Sequence, residues 1–285
     1  MSDTTDQYSN EYENKWCPGC GNFGILNAVK ESLADMEIAP EKILMVSGIG
    51  QAAKTPHFLR CNFFHGLHGR ALPVATGAKL ADQDLTILVN MGDGDCYGEG
   101  GNHLLAALRR NINLTLLVHN NMVYGLTKGQ ASPTSRHGFV TKAQPQGAAW
   151  QASNPLALAL SQGAGFVARG YCGEMEHLSQ LISAGISYPG FSLIDILQVC
   201  VSFNHENTYK FYNDRVYQLD TDAYKADDLH QALDLTMEWE DKIPTGIIYQ
   251  KETGAYTDEL APLQSGSLLK QTYDPEKIRK AISAA

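Results

Sequence analysis

The chain has 285 residues, 44% of them hydrophobic, and a formal net charge of -9 at pH 7. That length supports one large α/β domain with a sizeable core. The acidic balance argues against general nucleic-acid binding, and no apolar run approaches the length of a membrane span. Residues 1–14 are polar and lack apolar periodicity, the pattern of a disordered or partner-draped arm. Their acidic start is neither a signal nor a transit peptide, which points to the cytoplasm. Trp16 to Gly21 is a tight cysteine loop. Asn22 to Asp35 is an amphipathic helix, with Ile25, Leu26, Val29 and Leu33 on one face. Ile43 to Val46 is a strand ending in Ser47-Gly48-Ile49-Gly50. Gln51 to Arg70 is a long polar and aromatic loop with His57, His65 and His68; a loop of that size in a compact domain is functional or disordered. Ala71 to Leu80 is a small-residue helix with proline in its first turn.

The centre of the chain is the stretch from Gly92 to Asn121. Leu85 to Met91 is short, apolar and rich in β-branched residues, as buried parallel strands are. It runs into Gly92-Asp93-Gly94-Asp95. Asn102 to Arg110 is a helix with arginines in its last turn, and Leu114 to His119 is a second strand, closed by Asn120-Asn121. Both polar clusters therefore fall at carboxyl ends of neighbouring strands, where open α/β sheets bind ligands. The glycines let backbone approach a bulky anion. Asp93 and Asn121 offer a carboxylate and an amide oxygen, a donor set suited to Mg²⁺ beside phosphate oxygens. Either cluster alone is an ordinary turn or loop; together, at adjacent strand ends, they point to a site. Beyond a glycine-bearing loop (Met122 to Pro133) and an irregular stretch (Ser135 to Trp150), helices at Pro155 to Gln162 and Met175 to Ile186 alternate with strands at Phe166 to Tyr171 and Phe191 to Leu197. That alternation predicts one doubly wound, mostly parallel sheet. Ser202 to Thr221 is a polar, tyrosine-rich wrapping arm and Asp227 to Trp239 a helix. The C-terminal stretch is irregular except for a helix at Pro275 to Ala284.

Six cysteines in a cytoplasmic chain are thiols, metal ligands or redox groups rather than disulfides. Cys17-Pro18-Gly19-Cys20 is compatible with a thioredoxin-like dithiol, a zinc site or an iron–sulfur cluster. The dithiol lacks a preceding buried strand, and zinc lacks a second Cys-x-x-Cys. A cluster would draw on two distant cysteines.

Gly-Asp-Gly followed by Asn-Asn resembles the signature of thiamine-diphosphate enzymes. The motifs Trp16-Cys17-Pro18-Gly19-Cys20-Gly21, Ser47-Gly48-Ile49-Gly50, Leu67-His68-Gly69-Arg70, Gly100-Gly101-Asn102-His103 and Tyr124-Gly125-Leu126-Thr127-Lys128-Gly129-Gln130 resemble the β subunit of 2-oxoacid:ferredoxin oxidoreductases. The resemblance covers about residues 12 to 210. It implies the diphosphate-binding half of the thiamine-diphosphate fold: an arm (1–14), a cofactor and cluster domain (15–205) and an irregular C-terminal extension (206–285) that packs on the core or a partner subunit. It implies coenzyme A-dependent oxidative decarboxylation of a 2-oxoacid, 2-oxoglutarate first and pyruvate or branched-chain oxoacids after it, with electrons passed through one [4Fe–4S] cluster to ferredoxin. Thiamine enzymes also need a glutamate on the aminopyrimidine ring, which in this family comes from a separate α subunit. The chain is therefore expected to act only as a heterodimer or dimer of heterodimers. Two other readings stand beside this one: half of a non-redox thiamine enzyme (decarboxylase or synthase), and a binding module without catalysis.

By the same resemblance, Mg²⁺ is held by the Asp93 and Asn121 side chains and the Val123 carbonyl. The cofactor is surrounded by Ser47, Gly48, Ile49, Gly50, His68, Gly92, Asp93, Gly94, Asp95, Asn121, Val123, Gly125, Leu126 and Thr127. Lys54 faces an acidic group of the substrate and Leu126 its pocket wall, with Lys128 a candidate for coenzyme A phosphates. Cys17, Cys20 and Cys200 are cluster ligands. Many members of the family carry a cysteine directly after Gly-Ile-Gly, where this chain has Gln51. Cys61 lies ten residues on, within reach of an extended chain at over 3 Å per residue, and is expected to be the fourth ligand. Cys96 and Cys172 are expected to be buried thiols.

Overall fold

A computed structural model describes residues 3–220, 223–272 and 274–284, the side chains of Asp3 and Thr4 excepted. The expectations for Met1, Ser2 and Thr221 lie outside the described residues. In chain order the strands are β1 (Ile43–Ser47), β2 (Asn62–His65), β3 (Thr86–Gly92), β4 (Leu114–Asn120), β5 (Val123–Tyr124), β6 (Gln130–Ala131), β7 (Phe166–Tyr171), β8 (Phe191–Leu197), β9 (Val216–Gln218) and β10 (Ile243–Gln250). The α-helices are α1 (Asn22–Asp35), α2 (Ala71–Ala81), α3 (Gly101–Arg110), α4 (Pro155–Ser161), α5 (Met175–Ser187), α6 (Tyr209–Asn213), α7 (Leu229–Met237) and α8 (Pro275–Ser283). Eight strands form one sheet in the order β2-β1-β3-β4-β8-β7-β10-β9, and β5 and β6 pair as a separate hairpin. The six strands from β2 to β7 run parallel; β10 then pairs antiparallel with β7.

Both faces of the sheet are covered, which is why β4, β7 and β8 are buried at every position. On one face α1 brings Ile25, Leu26, Val29 and Leu33, and α5 brings Leu178, Leu181 and Ile182. The two helices are also linked by their serines, Ser32 Oγ to Ser183 Oγ at 2.9 Å. On the other face lie Leu72 and Ala75 of α2, Leu104 and Leu108 of α3, Leu156 and Leu160 of α4 and Ala232 of α7.

Four expectations need correction. The start of the chain is not a loose arm: Asp3–Tyr8 is a 3-10 helix. Tyr8 is fully buried, its hydroxyl 2.8 Å from the Leu33 carbonyl and 2.7 Å from that of Ile38. The loop expected at 51–70 contains a 3-10 helix, Ala52–Phe58, and the edge strand β2. The tyrosine-rich arm after Ser202 holds α6 and β9. The C-terminal stretch supplies β10 to the main sheet, with a register shift between Ile247 and Tyr249. It also ties back to the core, Gln83 Nε2 donating to the Leu263 carbonyl at 3.0 Å.

Candidate active site

β1, β2, β3, β4, β7 and β8 run parallel and end at Ser47, His65, Gly92, Asn120, Tyr171 and Leu197. Every chemical motif of the sequence follows one of these ends, except the Cys17–Cys20 loop. That loop is carried to the same edge by the Gly21 N–H, which donates to the Val199 carbonyl at 3.0 Å.

The first site is a cavity of ≈ 60 Å³ lined by Ile49, Gly50, Gln51, Ala52, His68, Gly92, Asp93, Gly94, Asp95, Asn121, Val123, Tyr124, Gly125, Leu126 and Thr127. Asp93 is 1% exposed. Its Oδ2 accepts from Ser132 Oγ at 2.5 Å and Thr134 Oγ1 at 2.6 Å. Burial pushes the carboxyl up to about 6, against the two hydroxyls and the Gly94 backbone N–H, which favour the charged form. Asn121 is held by Nδ2 donating to Gln198 Oε1 at 2.7 Å, and its Oδ1 accepts the Val123 N–H at 3.1 Å. Asp93, Asn121 and Val123 thus line one cavity at neighbouring strand ends, and a carboxylate, an amide and a main-chain oxygen are donors of the kind Mg²⁺ takes beside phosphate. Gly92 adds room: a Cβ there would meet nothing within 4 Å.

Ser47 and Gly48 do not line the cavity. Gly48 stands against Asp95, and Ser47 Oγ lies 3.1 Å from His65 Nδ1. A Cβ on Gly48 would lie 2.1 Å from Asp95 Oδ2, so only glycine lets β1 and the Asp95 loop approach so closely. Asp95 Oδ1 accepts the Gly69 N–H at 2.7 Å and lies 2.8 Å from His68 Nδ1. The histidine contact is close but lacks hydrogen-bond alignment. Leu126 and Thr127 form part of the rim, and Lys128 sits beside them with a left-handed backbone, φ 84°. Lys54 is half-buried on the 3-10 helix, two residues beyond the lining residue Ala52.

Sequence reasoning overlooked the support behind Asp93. Asn120 Nδ2 donates to Asp195 Oδ2 at 3.2 Å, and the Tyr97 hydroxyl donates to Asp195 Oδ1 at 2.9 Å. Arg169 faces Asp195 in the β7–β8 register. Gln51, Ala52 and Tyr124 were also overlooked as lining residues. The run Ser132-Pro133-Thr134-Ser135, three hydroxyls just past the Gln130 motif, was the available signal for the Asp93 partners.

The second cluster is of cysteines. Cys17 and Cys200 lie near enough to Cys20 to disfavour its thiolate, as Cys172 does too, and Cys17 disfavours that of Cys200. Burial, then these neighbours, pushes the Cys20 thiol up to about 12, opposed by the Asn22 backbone N–H. Burial also raises Cys200, but backbone N–H groups of Phe203, Ser202 and Asn204 favour its thiolate. Ser202 Oγ donates to Cys17 Sγ at 3.1 Å and Gln198 Nε2 to Cys20 Sγ at 3.5 Å. Such donors suit sulfurs that carry charge when they bind metal. Among the described residues, no three His, Cys, Asp or Glu side chains are grouped to hold a single metal ion. Cys172 is 5% exposed, and its Sγ would lie 2.7 Å from a Cβ on Gly21. Cys96 is fully buried.

Cys61 does not join this group, contrary to expectation. It immediately precedes β2, which runs parallel to β1. It therefore lies at the amino edge of the sheet, in a surface hollow with Gln7, Pro40, Glu41, Arg60 and Asn62. The ten-residue reach is real, but the segment between Gln51 and Cys61, with its 3-10 helix Ala52–Phe58, runs back to the amino edge where β2 begins.

Residues 45–196 match the family described as thiamine pyrophosphate enzyme, C-terminal TPP binding domain. Residues 200–265 match the C-terminal family of the pyruvate ferredoxin oxidoreductase beta subunit. The chain is 44% identical over 279 residues to the 2-oxoacid:ferredoxin oxidoreductase subunit beta of a Sulfolobus species, covering 94% of this chain and 92% of that one. It is 45% identical over 207 residues to the 2-oxoglutarate oxidoreductase subunit KorB of Mycobacterium tuberculosis, covering 70% and 56%. Among solved structures, it superposes with a TM-score of 0.91 and 36% identity on 2-oxoglutarate:ferredoxin oxidoreductase from Magnetococcus marinus with 2-oxoglutarate, coenzyme A and succinyl-CoA bound, over 97% of this chain and 95% of that one.

Proposed function

This chain belongs to the β subunits of the 2-oxoacid:ferredoxin oxidoreductases, and we propose that with an α subunit it converts 2-oxoglutarate and coenzyme A to succinyl-CoA and carbon dioxide, passing two electrons to ferredoxin. One observation carries the reading: the Asp93–Asn121 cavity and the Cys17–Cys20–Cys200 group open on the same edge of one sheet. The names of the Mycobacterium and Magnetococcus relatives favour 2-oxoglutarate within the family.

In the proposed site Asp93 and Asn121 bind Mg²⁺ through their side chains and Val123 through its carbonyl. Ser132 and Thr134 hold one carboxylate oxygen of Asp93, which would leave the other for the ion. Gly92, Gly94, Gly125 and Thr127 bound the diphosphate, and His68 and Leu126 wall the cavity. Thiamine diphosphate supplies the electron sink for decarboxylation, and a [4Fe–4S] cluster on Cys17, Cys20 and Cys200 supplies one-electron steps. Lys54, just beyond Ala52, pairs with the second carboxylate of the substrate, a charge that pyruvate lacks. The cavity in this chain, ≈ 60 Å³, is far below the roughly 300–1,000 Å³ of a complete small-molecule pocket. This supports a half-site that is finished by an α subunit.

The test is anaerobic purification of the αβ complex and assay across a panel of 2-oxoacids. Coenzyme A-dependent reduction of ferredoxin, fastest with 2-oxoglutarate, is the expected result. Decarboxylation without reduction, by a colourless protein, would establish the non-redox alternative instead.

A further inference from the structure

Three cysteines at the carboxyl edge leave a cubane cluster one thiolate short, because [4Fe–4S] clusters are ordinarily held by four. The other cysteines are placed elsewhere. Cys61 is at the opposite edge of the sheet. Cys96 is sealed in the apolar core on the α2–α3 face. Cys172 lies in the apolar core on the α1–α5 face, behind Gly21.

Gln51 is differently situated. Its backbone carbonyl accepts the indole N–H of Trp16 at 2.9 Å, which ties it to the residue just before Cys17. Trp16 is itself fixed, 6% exposed and packed edge-on against Phe23 and Phe58. The Gln51 side chain lies against Gly125, whose added Cβ would be 4.0 Å from Gln51 Cγ, and lines the Asp93 cavity. Its Oε1 is buried and has no hydrogen-bond partner among the described residues. A buried carboxamide oxygen left unpaired is costly, so the position favours an electrophile that can take up its lone pair.

Resting on the cluster reading above, we propose that Gln51 supplies the fourth ligand: three irons are held by Cys17, Cys20 and Cys200, and the remaining iron by the Gln51 carboxamide oxygen. An amide oxygen is a weaker ligand for iron than thiolate, so that iron is exchangeable. Gln51 also lines the Asp93 cavity, which would place this ligand at that cavity's wall.

The experiment uses the anaerobically purified αβ complex, titrated with ferricyanide and followed by electron paramagnetic resonance and iron analysis. One-electron oxidation takes [4Fe–4S]²⁺ to [4Fe–4S]³⁺, which releases Fe²⁺ and leaves [3Fe–4S]⁺. The wild-type complex is expected to fall from about four to about three irons per chain, to gain the three-iron signal, and to recover with added Fe²⁺ and a thiol reductant. Gln51→Cys should abolish the loss. Gln51→Ala should keep it, while changing the Mössbauer parameters of one iron out of four. Cys61→Ser and Cys172→Ser should match wild type. Equal resistance of wild type and Gln51→Cys, an unchanged Mössbauer spectrum in Gln51→Ala, or loss of the cluster in Cys172→Ser would overturn the assignment. Iron-free wild-type protein would instead overturn the cluster reading on which it rests.

Discussion

Cys61 and Cys200 are both half-buried cysteines beside a strand of the same parallel array, and they differ in which end of that strand they occupy. Burial raises both thiols. Cys61, before β2, is pushed up to about 12, with one opposing backbone N–H, from Met45. Cys200, after β8, has three, from Phe203, Ser202 and Asn204. The chain leaving a strand's carboxyl end turns and exposes amide groups that can favour an anion. The chain entering at the amino end is about to be used up in the ladder. One residue type in one sheet is therefore a metal-ligand candidate at one edge and an inert thiol at the other.

The most severe test of that contrast is at the centre of the carboxyl edge. Asp93→Ala should weaken Mg²⁺-dependent thiamine-diphosphate binding at least about 100-fold, a loss of about 2.7 kcal/mol, with the fold kept by circular dichroism. Unchanged affinity in calorimetry would remove Asp93 from the metal site. Cys200→Ser should lose the brown chromophore and most ferredoxin reduction, while Cys61→Ser keeps both; identical spectra for the two variants would erase the difference between the edges. Gly48→Ala probes how tightly the carboxyl edge is packed. Its Cβ would lie 2.1 Å from Asp95 Oδ2, and overpacking of this kind costs about 1–3 kcal/mol, visible as a lowered urea midpoint. Lys54→Ala should reduce kcat/KM for 2-oxoglutarate about tenfold, as loss of a charged hydrogen bond of about 1.5–3 kcal/mol requires. An effect below about twofold would return Lys54 to the surface. Least affected should be the stability of Cys61→Ser, within about 1 kcal/mol of wild type, measured by denaturation of the complex.

Much of this was legible because it is local. Strands β7 and β8 and helix α1 fall where periodicity placed them, since each buries a whole strand or one continuous helical face. Gly92 to Asp95 and Asn121 were legible because tight strand-end turns need particular residues. The edge strand β2 was not: all four of its residues are exposed, so no alternation marks it. β10 was not either, because Pro244, Gly246 and its irregular register disguise a strand that only pairing with β7 reveals.

Short runs of residues were enough to specify the parallel α/β core, the Asp93–Asn121 pair and the family, since their residue types have few alternative uses. Which cysteines meet is settled only in the folded chain. Ligand sets assemble from segments far apart in sequence, and reach along the chain sets only an upper limit on separation. The direction of β2 then sent Cys61 to the amino edge, while Gln51, its carbonyl held by Trp16, lines the Asp93 cavity.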